Sequence, residues 1–213
     1  MTKKSFIINT MLPVNNVELV NQGLGNYWSK NKKILQGYFY NKLKRVRSGY
    51  EAALNNPYDK NLFEKYYSNG DVKKNKGKFR SSLRIDLGYD GLAISLSKTN
   101  VGFELFSEKA YDAKNNRELS KTVVDHILGV TDVGVDIFVQ YKNTSWNERY
   151  MCEEWLPNNL GKFLTCRILK GEHQKENSKD TNGIARGKHT LEQKMKLEHY
   201  KEIGIPLPLI VVN

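Results

Sequence analysis

Residues 122–127 read TVVDHI and residues 170–177 read KGEHQKEN. The first is a β-branched run, Thr122, Val123 and Val124, ending on an acid and an imidazole. Such residues suit a pleated, half-buried strand. Side chains alternate along a strand, so Asp125 and His126 point to opposite sides, and one can hold a metal while the other faces a water. The second stretch is polar, and Lys170 and Gly171 break the strand predicted before it over 163–169. A helix is predicted over 172–179, with His173 and Asn177 four apart on one face. Between the two lies Pro157-Asn158-Asn159-Leu160, a connecting segment.

Working outward, 133–139 is apolar enough for a strand or a buried helix, and periodicity does not decide between them. Residues 147–156 read as a helix that ends before Pro157. Residues 191–203 form an amphipathic pattern stopped by Gly204, with 205–212 extended behind it. Upstream, Ile34, Leu35, Tyr38, Leu43 and Val46 recur at helical spacing within 28–54. A shorter helix is expected over 61–67 and an exposed Lys- and Gly-rich turn over 68–78. Alternating apolar residues from Leu83 to Leu105 predict a small antiparallel sheet of about three strands over 79–106, followed by a polar loop at 111–117. The fold class expected is α+β. Residues 1–117 form a basic region of helices and a small sheet, 118–180 the compact core, and 181–213 a helix and tail packing on it.

The chain has 213 residues, 39% hydrophobic, with 12 Tyr and 8 Phe. That length fits one domain with a small appendage, and the aromatic content argues against a disordered chain. Residues 30–84 carry 15 Lys or Arg against 4 Asp or Glu, which is the whole of the +11 net charge. A basic half beside a neutral half suits a protein that grips a polyanion with one part and does something else with the other. Lys42, Lys44, Arg45, Arg47, Lys73, Lys74, Lys76 and Lys78 are the candidate phosphate contacts there, with Arg186 and Lys188 as further candidates downstream. Tyr38, Tyr40 and Tyr50 lie among these cations and can stack or pack. Cys152 and Cys166 are too few for a disulfide scaffold or a four-cysteine zinc site. The N-terminal MTKKSFIINTMLPV is a poor signal peptide and no apolar run approaches a membrane span, so a cytoplasmic protein is expected, in a microbial or phage-infected cell.

The ordered set VVDHI at 123–127, NNL at 158–160 and EHQKEN at 172–177 resembles the HNH, or ββα-metal, nucleases. The resemblance covers residues 120–179. It implies a ββα-metal core in which His126 is the general base, Asp125 and His173 ligate one divalent cation with Asn177 as a third ligand, and Asn159 or Asn158 holds the His126 ring. It implies Mg2+, with Mn2+, Ni2+ or Zn2+ as alternatives, and a DNA endonuclease of restriction, phage or mobile-element type acting on duplex DNA. RNA stays open as a substrate, and a two-fold target site would call for a homodimer. The chain departs from the family pattern in a long insertion around 132–157, in lacking flanking cysteine pairs, and in carrying Gly129 where a proline often stands.

Two other readings compete. Asp90, Glu104, Asp112 and Lys114 resemble the acidic set and lysine of PD-(D/E)XK nucleases. A nucleic-acid-binding protein without catalysis would explain the charge equally well, but not the ordered Asp125, His126, Asn159 and His173.

Overall fold

The computed structural model describes residues 12–55, 98–177 and 190–213. The helix predicted at 61–67, the turn at 68–78 and the strands predicted at 83–96 lie outside these residues, as do Lys73, Lys74, Lys76, Lys78, Asp90, Arg186 and Lys188. The fold is α+β: a long N-terminal helix, a four-stranded mixed sheet and several short helices. The described residues group into two compact units, 12–30 with 98–129, 158–177 and 190–213, and 31–55 with 130–157.

The first unit holds the sheet. Its strands are β1 (Glu104–Phe106), β2 (Thr122–His126), β3 (Thr165–Leu169) and β4 (Ile210–Val212), in the order β2-β3-β1-β4. β2 runs antiparallel to β3, β1 parallel to β3, and β4 antiparallel to β1. The sheet is therefore mixed; of the antiparallel set expected over 79–106, only β1 falls among the described residues. It also draws on residues before 118 and after 180. Register sets the faces: Asp125 pairs with Cys166 and Val123 with Ile168, and Leu105 pairs with both Cys166 and Val211. Asp125, Cys166, Ile168 and Leu105 are all buried. On the opposite face Arg167 donates from Nε to Glu104 at 2.8 Å and from Nη1 to Thr122 at 3.1 Å, so one guanidinium ties β1, β3 and β2 together.

Helix α1 (Val17–Leu54) starts earlier than the predicted residue 28. Asn16 caps it, its side chain accepting from the Leu19 N–H at 3.0 Å. Val20, Leu24, Tyr27 and Trp28 are buried in its first part, and Leu35, Phe39, Leu43, Val46 and Tyr50 in its second. Ile34 and Tyr38, expected on the apolar stripe, are 73% and 38% exposed. Phe39, one residue past Tyr38, takes the buried place instead. Gly23 is where α1 meets the turn before β1. A Cβ there would stand 2.3 Å from the Val101 carbonyl oxygen and 2.7 Å from the Phe103 ring. Gly23→Ala should therefore destabilise by about 1–3 kcal/mol despite alanine's better helix propensity, because a backbone carbonyl cannot step aside. Urea unfolding that found the variant as stable as the native chain would contradict this packing.

Two expectations are corrected and one open choice is decided. The polar loop expected at 111–117 is helix α2 (Glu108–Asn115), capped by Ser107, whose side chain accepts from the Ala110 N–H. The undecided 133–139 lies within helix α3 (Val130–Asn143). The helix expected to stop before Pro157 runs on: Met151–Trp155 is a π-turn, closed by the Leu156 N–H bonding to the Met151 carbonyl, and Leu156–Asn158 follows as α-helix. A proline ring clashes with the carbonyl four residues back in a regular helix, and the widened turn relieves that crowding.

The second unit packs on aromatic rings. Trp146 contacts Tyr50, Phe138 and Tyr141 at 5.1, 5.8 and 4.9 Å between centroids, and Phe39 stacks on Trp155 at 6.0 Å. The Tyr141 hydroxyl donates to Glu148 at 2.6 Å, and Arg47 approaches the same carboxylate at 3.6 Å. Burial and that hydrogen bond hold the Tyr141 hydroxyl well above its ordinary pKa. Burial pushes the Glu148 carboxyl up, but Tyr141, the backbone, Arg47 and Lys44 outweigh it and leave it below its ordinary value. Cys152 exchanges bonds with Gln36, its thiol donating to the Gln36 carbonyl and its own carbonyl accepting from the Gln36 side chain. Burial pushes that thiol up to about 12. No helix among the described residues is long and apolar enough to cross a membrane.

Candidate functional site

The site is built where β2, β3 and the helix after β3 converge. Thr122–His126 forms a strand as its β-branched residues predict, and it pairs along its full length with Thr165–Leu169. Helix α4 (Lys170–Asn177) starts directly on the end of β3, two residues before the predicted start at Glu172. Lys170 and Gly171 are its first residues, not a break.

Glu172 explains that early start. It occupies the third helical position, and its Oε2 accepts from the Leu169 N–H at 2.8 Å, the reach-back half of a capping box. The same oxygen accepts from the Ser107 hydroxyl at 2.9 Å. Ser107 is itself the cap of α2, so one buried carboxylate ties the starts of two helices together. Among the described residues its other oxygen, Oε1, has no hydrogen-bond partner.

Against this frame the structure brings Asp125 and His173 together. The Asp125 carboxylate is 4% exposed, and its Oδ1 lies 3.9 Å from Nε2 of His173, a half-exposed ring. That gap is too long for a hydrogen bond. Two donors on one ion, at bonds of about 2.0–2.2 Å each, can stand up to about 4 Å apart. The Asp125–His173 separation lies at the upper end of that span. The other oxygen of Asp125, Oδ2, accepts from the Tyr200 hydroxyl at 2.6 Å.

His126 ends β2 opposite Thr165, half-buried, on the other face of the strand from Asp125. The next residue leaves the ladder, the Ile127 N–H bonding to the Leu164 carbonyl at 3.3 Å. Asn158 closes the short turn Leu156–Asn158, and Asn159 precedes the 3-10 turn Leu160–Phe163, its carbonyl accepting from the Lys162 N–H at 2.9 Å. Both asparagines are half-buried. Asn177 is the last residue of α4. Among the described residues no group of three or more His, Cys, Asp or Glu side chains clusters as a metal cage would.

The rival acidic set is dispersed over unlike elements. Glu104 is on β1 and pairs with Arg167, while Asp112 and Lys114 are on α2, with the Lys114 ammonium over the Phe106 ring at 5.0 Å. His199 is fully buried with its ring 4.4 Å from Tyr200.

The four candidate cations of α1 divide into two rows. At 100° per residue, Lys42 and Arg45 lie on one side of the buried stripe and Lys44 and Arg47 on the other. Lys42 covers Tyr38 at 5.4 Å and Lys44 covers Tyr40 at 4.9 Å. A hydrogen bond with the Tyr40 hydroxyl is the main reason the Lys44 pKa is raised. Arg47 bonds Glu51 at 2.8 Å, which competes with a phosphate for it.

Two residues of this site escape a reading of the sequence. Glu172 carries a faint signal, a glutamate three positions into a helix that follows a strand. Tyr200 carries none, since it lies far along the chain in a helix with no motif. Comparison with protein-family models, with curated proteins and with solved structures returns no match.

Proposed function

We propose that this chain is a metal-dependent endonuclease of the ββα-metal type that hydrolyses phosphodiester bonds in DNA. The observation that carries the reading is the antiparallel pair β2 and β3 running straight into α4, with Asp125 of the first strand and His173 of the helix 3.9 Å apart. Strand, strand and helix in that order, bearing that acid and that imidazole, are what the HNH resemblance calls for.

In this reading Asp125 and His173 hold one divalent ion, Mg2+ by the HNH resemblance, with Mn2+, Ni2+ or Zn2+ as alternatives, the last two bound more tightly by an imidazole. When bound, it supplies positive charge at the scissile phosphate. His126 takes a proton from the attacking water, a task for a neutral imidazole near physiological pH. Asn159 or Asn158 orients that ring. The paired Lys–Tyr rows of α1, with Lys42, Lys44 and Arg45, supply contacts to phosphate and sugar. The Asp112 and Lys114 alternative draws no support from its placement on α2.

The test is incubation of supercoiled plasmid with the native chain and Mn2+, with and without a chelator, beside a single-stranded RNA of mixed sequence. Nicked or linear plasmid that forms only with free metal is the expected outcome. Cleavage confined to RNA would change the substrate. Salt-sensitive DNA binding with neither polymer cut would leave a binding protein, and the catalytic reading would fall.

A further inference from the structure

Asp125 is a carboxylate in a buried place, and its two oxygens have different surroundings. Oδ1 looks towards His173, and Oδ2 is held by the Tyr200 hydroxyl at 2.6 Å. That length is at the short end for an O–H···O hydrogen bond. Tyr200 is wholly buried, so its hydroxyl has a fixed direction.

The segment that carries it is also fixed. Thr190 and Gln193 form a reciprocal capping box at the start of helix α5 (Leu191–Met195). Leu197 then adopts the left-handed conformation at φ 58° and starts helix α6 (Glu198–Glu202) in a new direction. The single helix expected over 191–203 is thus two. Leu197 is itself fully buried, and it accepts through its carbonyl from the Tyr200 N–H at 3.0 Å. The Tyr200 carbonyl in turn accepts from the Ile205 N–H at 2.9 Å. A leucine in that conformation costs about 1 kcal/mol or more and persists where its surroundings hold it. The strained turn is what aims Tyr200 at Asp125.

Resting on the metal site proposed above, we infer that Tyr200 is a positioning residue for Asp125: its hydroxyl engages Oδ2 so that Oδ1 is presented to the ion shared with His173. The C-terminal helix pair therefore completes the site. Groups that hold a ligating carboxylate in this way influence metal affinity by about 10–100-fold when removed.

The experiment is calorimetric titration of Mn2+ into three proteins: the native chain, Tyr200→Phe and Asp125→Asn. Thermal unfolding of each without metal runs beside it. The native chain should bind Mn2+, D125N should lose that binding, and Y200F should bind about 10-fold more weakly or worse. A purely structural tyrosine predicts something else: a lower Tm for Y200F with its Mn2+ affinity unchanged. That result would overturn the positioning role while the metal site stood. If the native chain bound no Mn2+, or D125N bound it as tightly, the metal site itself would fall and this inference with it. Should Y200F not fold, carbon-13 labelling of tyrosine in the native protein serves instead. Mn2+ should then broaden the assigned Tyr200 Cζ signal selectively, and a Tyr200 signal that stays sharp at saturating Mn2+ would refute the assignment.

Discussion

Alanine at His126 is expected to lower Mn2+-dependent plasmid cleavage by about 10²–10⁴-fold, the range that a positioned general base contributes. The loss should fall on turnover. His126 is the last residue of an edge strand, half-buried, on the face of the sheet away from the buried Asp125 carboxylate. His126 is half-buried and outside the core, so truncating it should cost about 1 kcal/mol or less of stability. DNA affinity and its dependence on salt should also be kept, because those come from Lys and Arg contacts to phosphate. Gel-shift titrations at two salt concentrations, beside timed cleavage assays, separate the two effects. Equal cleavage by native protein and variant would remove His126 from the mechanism. Asp112→Ala is the companion variant: Asp112 is exposed on α2, and cleavage should be unchanged.

Glu172→Ala should cost about 3 kcal/mol of stability, the largest loss expected from a residue that touches no substrate. Its carboxylate is the acceptor for two groups at once, the Leu169 N–H and the Ser107 hydroxyl. Deleting it strands the Ser107 hydroxyl in a buried setting and the Leu169 N–H in a part-buried one, at about 1–3 kcal/mol for an unsatisfied buried group, and leaves a small cavity. Glu172→Gln keeps the volume and one acceptor oxygen and should lie between the two. Urea unfolding reads both effects. The consequence extends to the site, since α4 starts at the bond Glu172 makes and His173 is the next residue. Cleavage by E172A, assayed where the variant is still folded, should fall too. A variant as stable as the native chain would mean that Glu172 does not join α2 to α4.

Much of the site's frame was legible. Thr122, Val123 and Val124 announce β2, and His173 belongs to a helix directly after a strand. The meeting of Asp125 with His173 follows once those three elements are paired. What escaped has physical causes. Gly23 and Gly25 disguise the first third of α1, although Gly23 is there because the Val101 carbonyl comes so close. The polar run Asp112 to Asn116 looks like a loop, yet Ser107 caps it and Ala110 and Ala113 are its buried face. β1 and β4 lie within the stretches expected to be extended, 79–106 and 205–212, but with three residues each their pairing partners could not be read. Nothing about Leu197 marks a left-handed turn, so the helix pair that delivers Tyr200 reads as one helix. The cationic character of α1 was readable from composition. Its division into two rows needed the helix's orientation, since Phe39 and not Tyr38 faces inward.

The order of strands has a consequence for when this protein is whole. β1 lies between β3 and β4, and Leu105 pairs with both Cys166 and Val211. A nascent chain that has β1, β2 and β3 outside the ribosome still lacks the strand that completes the sheet and the tyrosine that grips Asp125. Pairings so distant in sequence are slow to form, because the loop must close before any contact rewards it. On the nuclease reading proposed above, the site would be completed only after residues 200–212 have been made.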